Sequence, residues 1–444
     1  MKDHKGIHYL NSLTSRGINP SLDNVNQFLL ATKLPKKNYF KITVAGTNGK
    51  GSTVGYLSKI FTGLGYKTGA IFSPHVLRVN ERITLNGEEI SDKELDTLLL
   101  EIKSMQGKTA LSITYFEALF FASLLYFDKQ EIDIAVLEVG LGGRFDAINS
   151  LHQDISIITS ISIDHTQFLG NSLEEIAAEK FAIVKEGSTV VANLEQENLR
   201  QLLIKHSDKN KAVCLLNDKD FELHQGQYVL KNPFHVQIKT IKKNTSSNKQ
   251  WGNIALAITA VLLFKVFFEK KSATDSLGSA LLKAIPHDTH LHEGFETILL
   301  AIKEFIPPYR FQKISDSPEV YLDVAHNEES FNTLFETVEE TLQEKKKALI
   351  AAFSSDKDWK PFVERALKVF DVCIFSEYLY ERTEKVNAIK TFVSSLNFPH
   401  EVYFCRTIIE AKEIYLNLPE YPALVVTGSF YTIQDYLQSE KLGS

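Results

Sequence analysis

ITVAGTNGKGS, residues 42–52, decides how this chain must fold. Ile42, Thr43, Val44 and Ala45 have the composition of a strand buried on both faces, and the run then breaks into Gly46, Gly49 and Gly51 around Lys50. From residue 53 the pattern TVGYLSKIFTGLG has helical spacing. A strand that ends in glycines and restarts as a helix aims backbone N–H groups beyond the helix N-terminus, where an anion is favoured. Lys50 adds a point charge for a phosphate, and Ser52 or Thr53 offers a hydroxyl to a magnesium ion. The spacing departs from GxxxxGK[ST], because Gly46 lies three residues before Gly49 and Gly51 separates the lysine from Ser52. A lysine set between two glycines at such a junction still favours a phosphate turn over a purely structural bend.

Working outward, similar apolar runs alternate with helical patterns: FKITVAG (40–46), TGAIFS (68–73), IDIAVLEVG (132–140), DISIITSIS (154–162) and STVVANL (188–194). This is the signature of a parallel sheet covered by helices. A second series follows residue 310: VYLDVA (320–325), KALIAAF (347–353), VCIFSEY (372–378), EVYFC (401–405) and ALVVTGS (423–429). The expected fold is α/β, a P-loop-containing, mostly parallel sheet domain over 1–305 with a second, smaller, Rossmann-like α/β domain over 309–444. IPPYR (306–310), whose double proline stops a helix, marks the boundary. AIPHDTHLHEGFE (284–296) reads as a polar loop, and 205–250, with KKNTSSNKQ inside it, as a hairpin excursion and a mobile loop.

With 444 residues, two cores are the natural expectation. A composition of 44% hydrophobic and 23% charged residues is that of a soluble globular protein, and a net charge of −6 gives no general attraction for nucleic acid. The three cysteines lack CxxC spacing, which argues against disulfides and zinc ribbons and for a reducing, cytoplasmic setting. MKDHKGIHYL has no apolar core of a signal peptide. ALFFASLLYF (118–127) and NIALAITAVLLF (253–264) are too short to span a membrane and read as buried helices.

In an open parallel sheet the carboxyl ends of the strands share one edge. Ser73 opens SPHVLRVNERI, Glu138 ends a buried strand in LEVGLGGRFDAIN, and His165 follows the next strand in SIDHTQFLG. Each alone has a plain explanation as a turn, a loop cap or a surface histidine. Together with the glycine loop, hydroxyl, carboxylate and imidazole make a divalent-metal site.

GTNGKGS, SPHVLRVNERI, TYFEA, LEVGLGGRFDAIN, SIDHTQFLG, AAEKFAIVKEG, RFQ, LDVAHN and TGSFYT occur in the order expected of folylpolyglutamate synthase and dihydrofolate synthase, of the Mur-ligase superfamily, which the chain resembles from residue 43 to residue 432. The resemblance implies that a substrate carboxylate attacks the γ-phosphate of MgATP and that L-glutamate then displaces phosphate from the acyl phosphate. It implies that Gly49, Lys50, Gly51 and Ser52 cradle the phosphates and that Ser73, Glu138 and His165 hold Mg2+. It further places Asn253 at the adenine, Arg310 and Asp323 at phosphate and ribose, so that ATP bridges both domains, and His326 near the transferring phosphate or the glutamate. For the pteroate or folate acceptor it points to Asn19, Pro20, Ser21, Thr114, Tyr115, Phe116, Glu117, Phe145, Asp146 and Ala147, although TYFEALFFASLLYF is equally a core helix. It also implies that Lys180 is carbamylated; without it, Lys180 reads as a surface lysine paired with Glu179 or Glu175. A monomer with small-molecule substrates and neither nucleic-acid nor membrane partners is expected.

Two positions depart from the family pattern. PPYRFQ replaces PGRFQ, with Pro308 and Tyr309, and DAIN replaces DATN, with Ile148. A guanine-nucleotide switch is disfavoured because NKQW (248–251) lacks the aspartate of NKxD. A nucleotide-binding scaffold without catalysis is the other competing reading. Retention of Lys50, Glu138, His165, Lys180 and His326 weighs against it, and Tyr309 weighs for it. Dihydropteroate, a reduced folate, or both stay open as acceptor; SPHVLR and TYFEA are closer to the bifunctional type than to a monofunctional folylpolyglutamate synthase.

Overall fold

The computed structural model describes residues 4–17, 19–109, 111–224, 226–231, 236–238, 248–269, 290–396 and 401–442. The chain divides into two compact units, Met1–Phe305 and Ile306–Ser444.

In the first unit the elements run α1 (Lys5–Asn11), α2 (Asp23–Thr32), β1 (Phe40–Ala45), α3 (Lys50–Gly63), β2 (Thr68–Ile71), β3 (Ile83–Leu85), β4 (Glu88–Glu89), α4 (Asp92–Thr109), α5 (Tyr115–Gln130) and β5 (Ile134–Glu138). There follow β6 (Ile155–Ile158), α6 (Thr166–Leu169), α7 (Leu173–Phe181), β7 (Thr189–Ala192), α8 (Glu197–Lys209), β8 (Val213–Leu216), β9 (Phe221–His224), β10 (Gln227–Leu230), β11 (Val236–Ile238), α9 (Asn248–Glu269) and α10 (His290–Glu304). Eight strands form the main sheet in the order β4-β3-β2-β5-β1-β6-β7-β8. Only the β2-β3 and β3-β4 pairings are antiparallel.

The strand order is what builds the site. β1 lies between β5 and β6, with Val44 opposite both Glu138 and Ile157, so the loops leaving these three strands emerge side by side. β5 is buried along its whole length and β2 flanks it, which brings Ser73 to the same edge.

The two apolar runs are buried helices. In α5 residues 117–128 are all buried, and its start is fixed by a capping box in which Thr114 Oγ1 accepts from Glu117 N–H (3.3 Å) and Glu117 Oε2 accepts from Thr114 N–H (2.6 Å). In α9 residues 253–264 are buried between α3 and the small antiparallel sheet β9–β11, whose Tyr228 hydroxyl meets Thr259 Oγ1 at 2.7 Å. Among the described residues no helix is long and apolar enough to cross a membrane.

Two loop expectations are corrected. The 205–250 excursion begins with the end of α8 and with β8, an eighth strand of the main sheet, before the three-stranded sheet. KKNTSSNKQ falls mostly outside the described residues, and its last three residues open α9. Residues 290–296 of the polar stretch are the first turns of α10, and 284–289 lie outside the described residues.

The second unit has a six-stranded sheet in the order β12-β13-β17-β14-β15-β16. Its strands are β12 (Gln312–Asp316), β13 (Glu319–Leu322), β14 (Lys347–Ala351), β15 (Val372–Phe375), β16 (Val402–Phe404) and β17 (Ala423–Thr427), all parallel except the β12–β13 hairpin. Amphipathic helices Glu328–Thr341, Lys360–Val369, Val386–Ser395 and Ile408–Leu416 connect them, and Phe430–Leu442 closes the unit.

Candidate active site

Gly46 (φ +151°) and Gly49 (φ +87°) take backbone angles that L side chains rarely adopt, which is why the turn after β1 is built from glycine. There is also no room for a Cβ: one on Gly49 would come within 2.4 Å of Asn253 Oδ1, and one on Gly46 would strike the Thr159 hydroxyl. The buried helix α9 thus sets Asn253 directly against the turn. Gly51 opens α3 with its Cα side turned to Glu138, since a Cβ there would lie 3.4 Å from Glu138 Oε2.

Sequence reasoning missed the residues that brace the turn. Thr47 N–H donates to Ser160 O (2.8 Å), Asn48 N–H to Ser160 Oγ (3.1 Å), Ser162 N–H to Thr47 Oγ1 (3.0 Å), and Thr159 Oγ1 to Asn48 O (2.6 Å). The hydroxyls of TSIS, at the end of an otherwise apolar strand, were the available signal. Of the two hydroxyls at the start of α3, Thr53 Oγ1 donates back to Gly49 O (3.0 Å), and Ser52 is buried beside it.

Lys50 Nζ folds onto the turn, donating to Gly46 O (3.1 Å) and Thr47 O (3.0 Å). The buried Lys180, from α7, donates to the same Gly46 carbonyl at 2.9 Å. Burial, and next the Lys50 charge, push the Lys180 ammonium down to about 7, with Asp164 opposing. The surface alternative for Lys180 is overturned: Glu179 pairs with Arg144 (2.7 Å) and Glu175 caps α7 from its first turn.

Glu138 is buried and its Oε2 accepts the backbone N–H of Ser73 at 3.0 Å, which sets these two residues side by side. His165 sits on the loop after β6, with a left-handed backbone (φ 51°) tied by its N–H to Asp164 Oδ1 (2.7 Å) and a side chain 44% exposed. Among the described residues no group of three or more His, Cys, Asp or Glu side chains gathers for a metal. A carboxylate and a hydroxyl beside a phosphate turn nonetheless suit a hard, oxygen-preferring cation that completes its shell with water and phosphate oxygens.

The acceptor-side candidates divide. Thr114 and Glu117 form the cap of α5, and burial raises the Glu117 carboxyl. Tyr115 lies under the Arg82 guanidinium, 5.8 Å from ring centroid to Cζ, and Arg82 Nε donates to His75 Nδ1 at 2.8 Å. Phe116 packs on Gly140. Asp146 is buried, accepts from the N–H groups of Gly140 (2.8 Å), Leu141 (3.1 Å) and Ile148 (3.0 Å), and is pushed up to about 6 by burial. Phe145 is half exposed while Ala147 and Ile148 are buried in the core, so the residue that departs from the family pattern has a packing role. Asn19, Pro20 and Ser21 are partly or fully exposed ahead of α2.

In the second unit, Asp323 Oδ2 accepts Phe311 N–H (2.7 Å) and Oδ1 accepts Ala325 N–H (2.8 Å); burial raises its carboxyl to about 6 against the pull of Arg310. His326 Nδ1 lies 2.9 Å from Val324 O, which can only accept, so the neutral ring keeps its basic lone pair on Nε2. Phe430 stands between His326 (5.5 Å between ring centroids) and Arg310 (6.0 Å). Tyr309 explains the family glycine at its position: its φ is 55°, a left-handed angle that glycine takes without strain.

Comparison with known proteins agrees with this architecture. The family model for the Mur ligase middle domain matches residues 44–260. Dihydrofolate synthase/folylpolyglutamate synthase of Escherichia coli (strain K12) is 31% identical over 331 residues, covering 72% of this chain and 69% of that protein. Among solved structures, E. coli FolC in complex with DHPP and ADP superposes with a TM-score of 0.81 at 24% identity, covering 99% of this chain and 97% of the other. A bifunctional folylpolyglutamate synthase/dihydrofolate synthase with Mn, AMPPNP and L-glutamate bound gives 0.80 at 24% identity, covering 98% and 97%.

Proposed function

This chain belongs to the dihydrofolate synthase/folylpolyglutamate synthase family, and we propose that it joins L-glutamate to dihydropteroate, to reduced folates, or to both. It is an ATP-dependent acid–amino-acid ligase. The observation that carries the reading is the convergence on one glycine turn of Lys50, Lys180, Asn253 and Glu138.

The chemistry follows from charge. Joining a carboxylate to a γ-phosphate brings like charges together, so oriented N–H groups and cations must dominate the site. The turn's N–H groups and the start of α3 would hold the phosphates, with Lys50 against the charge developing on the γ-phosphoryl group. Ser73, Glu138 and His165 would hold Mg2+, which supplies electrostatic neutralisation of the phosphate oxygens. Attack of the acceptor carboxylate on phosphorus expels ADP and leaves an acyl phosphate. The glutamate amine, once it has lost a proton, attacks the acyl carbon and expels phosphate.

Lys180 fits a carbamate. An amine titrating near 7 is substantially unprotonated at neutral pH, and its nitrogen can attack CO2 and release a proton. The product exchanges a buried cation for a carboxylate beside Lys50.

Phosphate release from ATP with L-glutamate, comparing dihydropteroate with tetrahydrofolate, tests the reading. Release that depends on L-glutamate and on one or both acceptors is expected; ATP turnover indifferent to both would overturn it.

A further inference from the structure

The loop 140–149, which carries the acceptor candidates Phe145, Asp146 and Ala147, is not simply adjacent to α7; it is fastened there. Gly143 lies so close to the helix end that a Cβ would come within 2.7 Å of Glu179 O and 3.1 Å of Lys180 O. The next residue, Arg144, makes the tie. Its N–H donates to Glu179 O (2.9 Å), Nε to Glu179 Oε1 (2.7 Å) and Nη2 to Ala178 O (3.3 Å), while its carbonyl accepts from Asn149 Nδ2 (3.0 Å). A guanidinium in this position satisfies a carbonyl of the last helical turn, that of Ala178, and complements the negative end of the helix dipole.

We propose that Arg144 is a positioning residue for the acceptor, holding the 140–149 loop against the helix that carries Lys180. The inference rests on the ligase reading above. On one side of the tie, Phe145 is presented to solvent at 48% exposure, and Asp146 braces the loop from within through Gly140 and Leu141. On the other, Lys180 follows Glu179 directly and reaches the phosphate turn at Gly46. The Arg144 side chain therefore reinforces a backbone tie, at Gly143 and Arg144, between the acceptor loop and the backing of the phosphate loop.

An exposed ion pair contributes little to global stability, so the consequence of losing Arg144 is local. The loop spends part of its time undocked, and acceptor affinity falls by the fraction of molecules that remain docked. The phosphate turn has its own braces and keeps its ATP affinity.

The test is steady-state phosphate release with ATP, L-glutamate and whichever pteroyl acceptor the parent uses, for Arg144→Ala, Arg144→Lys, Glu179→Arg and the swap Arg144→Glu/Glu179→Arg. Melting temperatures run alongside. Arg144→Ala is expected to raise the acceptor KM by about three- to fivefold with the ATP KM changed less than about twofold. The swap should recover most of the loss, and Arg144→Lys only part, because a lysine lacks the planar fork. An acceptor KM unchanged in Arg144→Ala, a parallel rise of all three KM values, or a swap no better than Glu179→Arg alone would each overturn the role of Arg144. Absence of parental turnover with either acceptor would instead overturn the ligase reading, and this inference with it.

Discussion

Replacing Lys180 by methionine should change the pH dependence of the first unit's stability in a predictable direction. Lysine has an ordinary value of 10.5, and burial against the turn lowers Lys180 to about 7. Between those values the unfolded chain holds a proton that the folded chain does not, so unfolding takes up a proton and stability rises with pH. Below pH 7 both states are protonated and the whole cost of burying the ammonium is carried; above 10.5 none of it is. The displacement, 10.5 − 7, corresponds to roughly 5 kcal/mol over the full window, of which about 2 kcal/mol falls between pH 7 and 9. Methionine keeps the length and the apolar stem without titrating. The parent should therefore gain about 2 kcal/mol on Lys180→Met between those pH values in CO2-free buffer. The two tryptophans make the measurement local, because Trp251 lies in α9 and Trp359 in the second unit. Urea unfolding followed by Trp251 fluorescence in a Trp359→Phe background would report the first unit. Bicarbonate should flatten the parental slope by converting the titrating amine to a carbamate. Parallel parent and variant curves in CO2-free buffer would refute the argument that this amine is buried as a perturbed base.

Lys50→Ala should lower turnover by about 10²–10³-fold, the worth of one preorganised electrostatic contact, with the melting temperature retained; a folded variant with near-parental phosphate release would remove the turn from the reaction. Glu138→Gln and His165→Ala should each shift the magnesium concentration for half-maximal turnover upward, and unchanged magnesium titrations in both would place the metal elsewhere. Tyr309→Gly relieves a left-handed backbone worth about 1–2 kcal/mol but loosens the unfolded chain by about 0.5–1 kcal/mol, so the second unit should be stabilised by about 1 kcal/mol or less. A clear fall in its unfolding midpoint would show that the tyrosine side chain contributes more than the strained backbone costs.

Much of this architecture is legible in local sequence. The strands announce themselves because a parallel sheet covered on both faces tolerates only apolar runs, and TYFE marks the start of α5 through a hydrogen-bonded box of four consecutive residues. The start of α10 is hard to read locally because His290, His292, Glu293, Gly294 and Glu296 dilute the helical spacing of Leu291, Phe295, Ile298 and Ile302. The bracing of the phosphate turn by Thr159, Ser160 and Ser162 depends on β1 lying beside β6, a pairing that no local pattern specifies. The same holds for Lys180. Nothing in AAEKFAIVKEG says that its amine will meet the carbonyl of Gly46, and a solvent-facing lysine was the natural local reading.

The placement of β1 has a consequence for how the chain is made. Its partners are β5 and β6, whereas β2, the next strand synthesised, pairs with β5 and not with β1. As the chain emerges from the ribosome, the strand bearing the phosphate turn therefore has no neighbour until residues near 138 are exposed, and its second edge waits until about residue 158. Closing contacts so far apart in sequence is slow, and an apolar strand with two open edges invites pairing with other chains meanwhile. The arrangement that gathers the site at the centre of the sheet makes its central strand dependent on protection during synthesis, and slowing translation between residues 45 and 138 should lower soluble yield more than slowing it after residue 158.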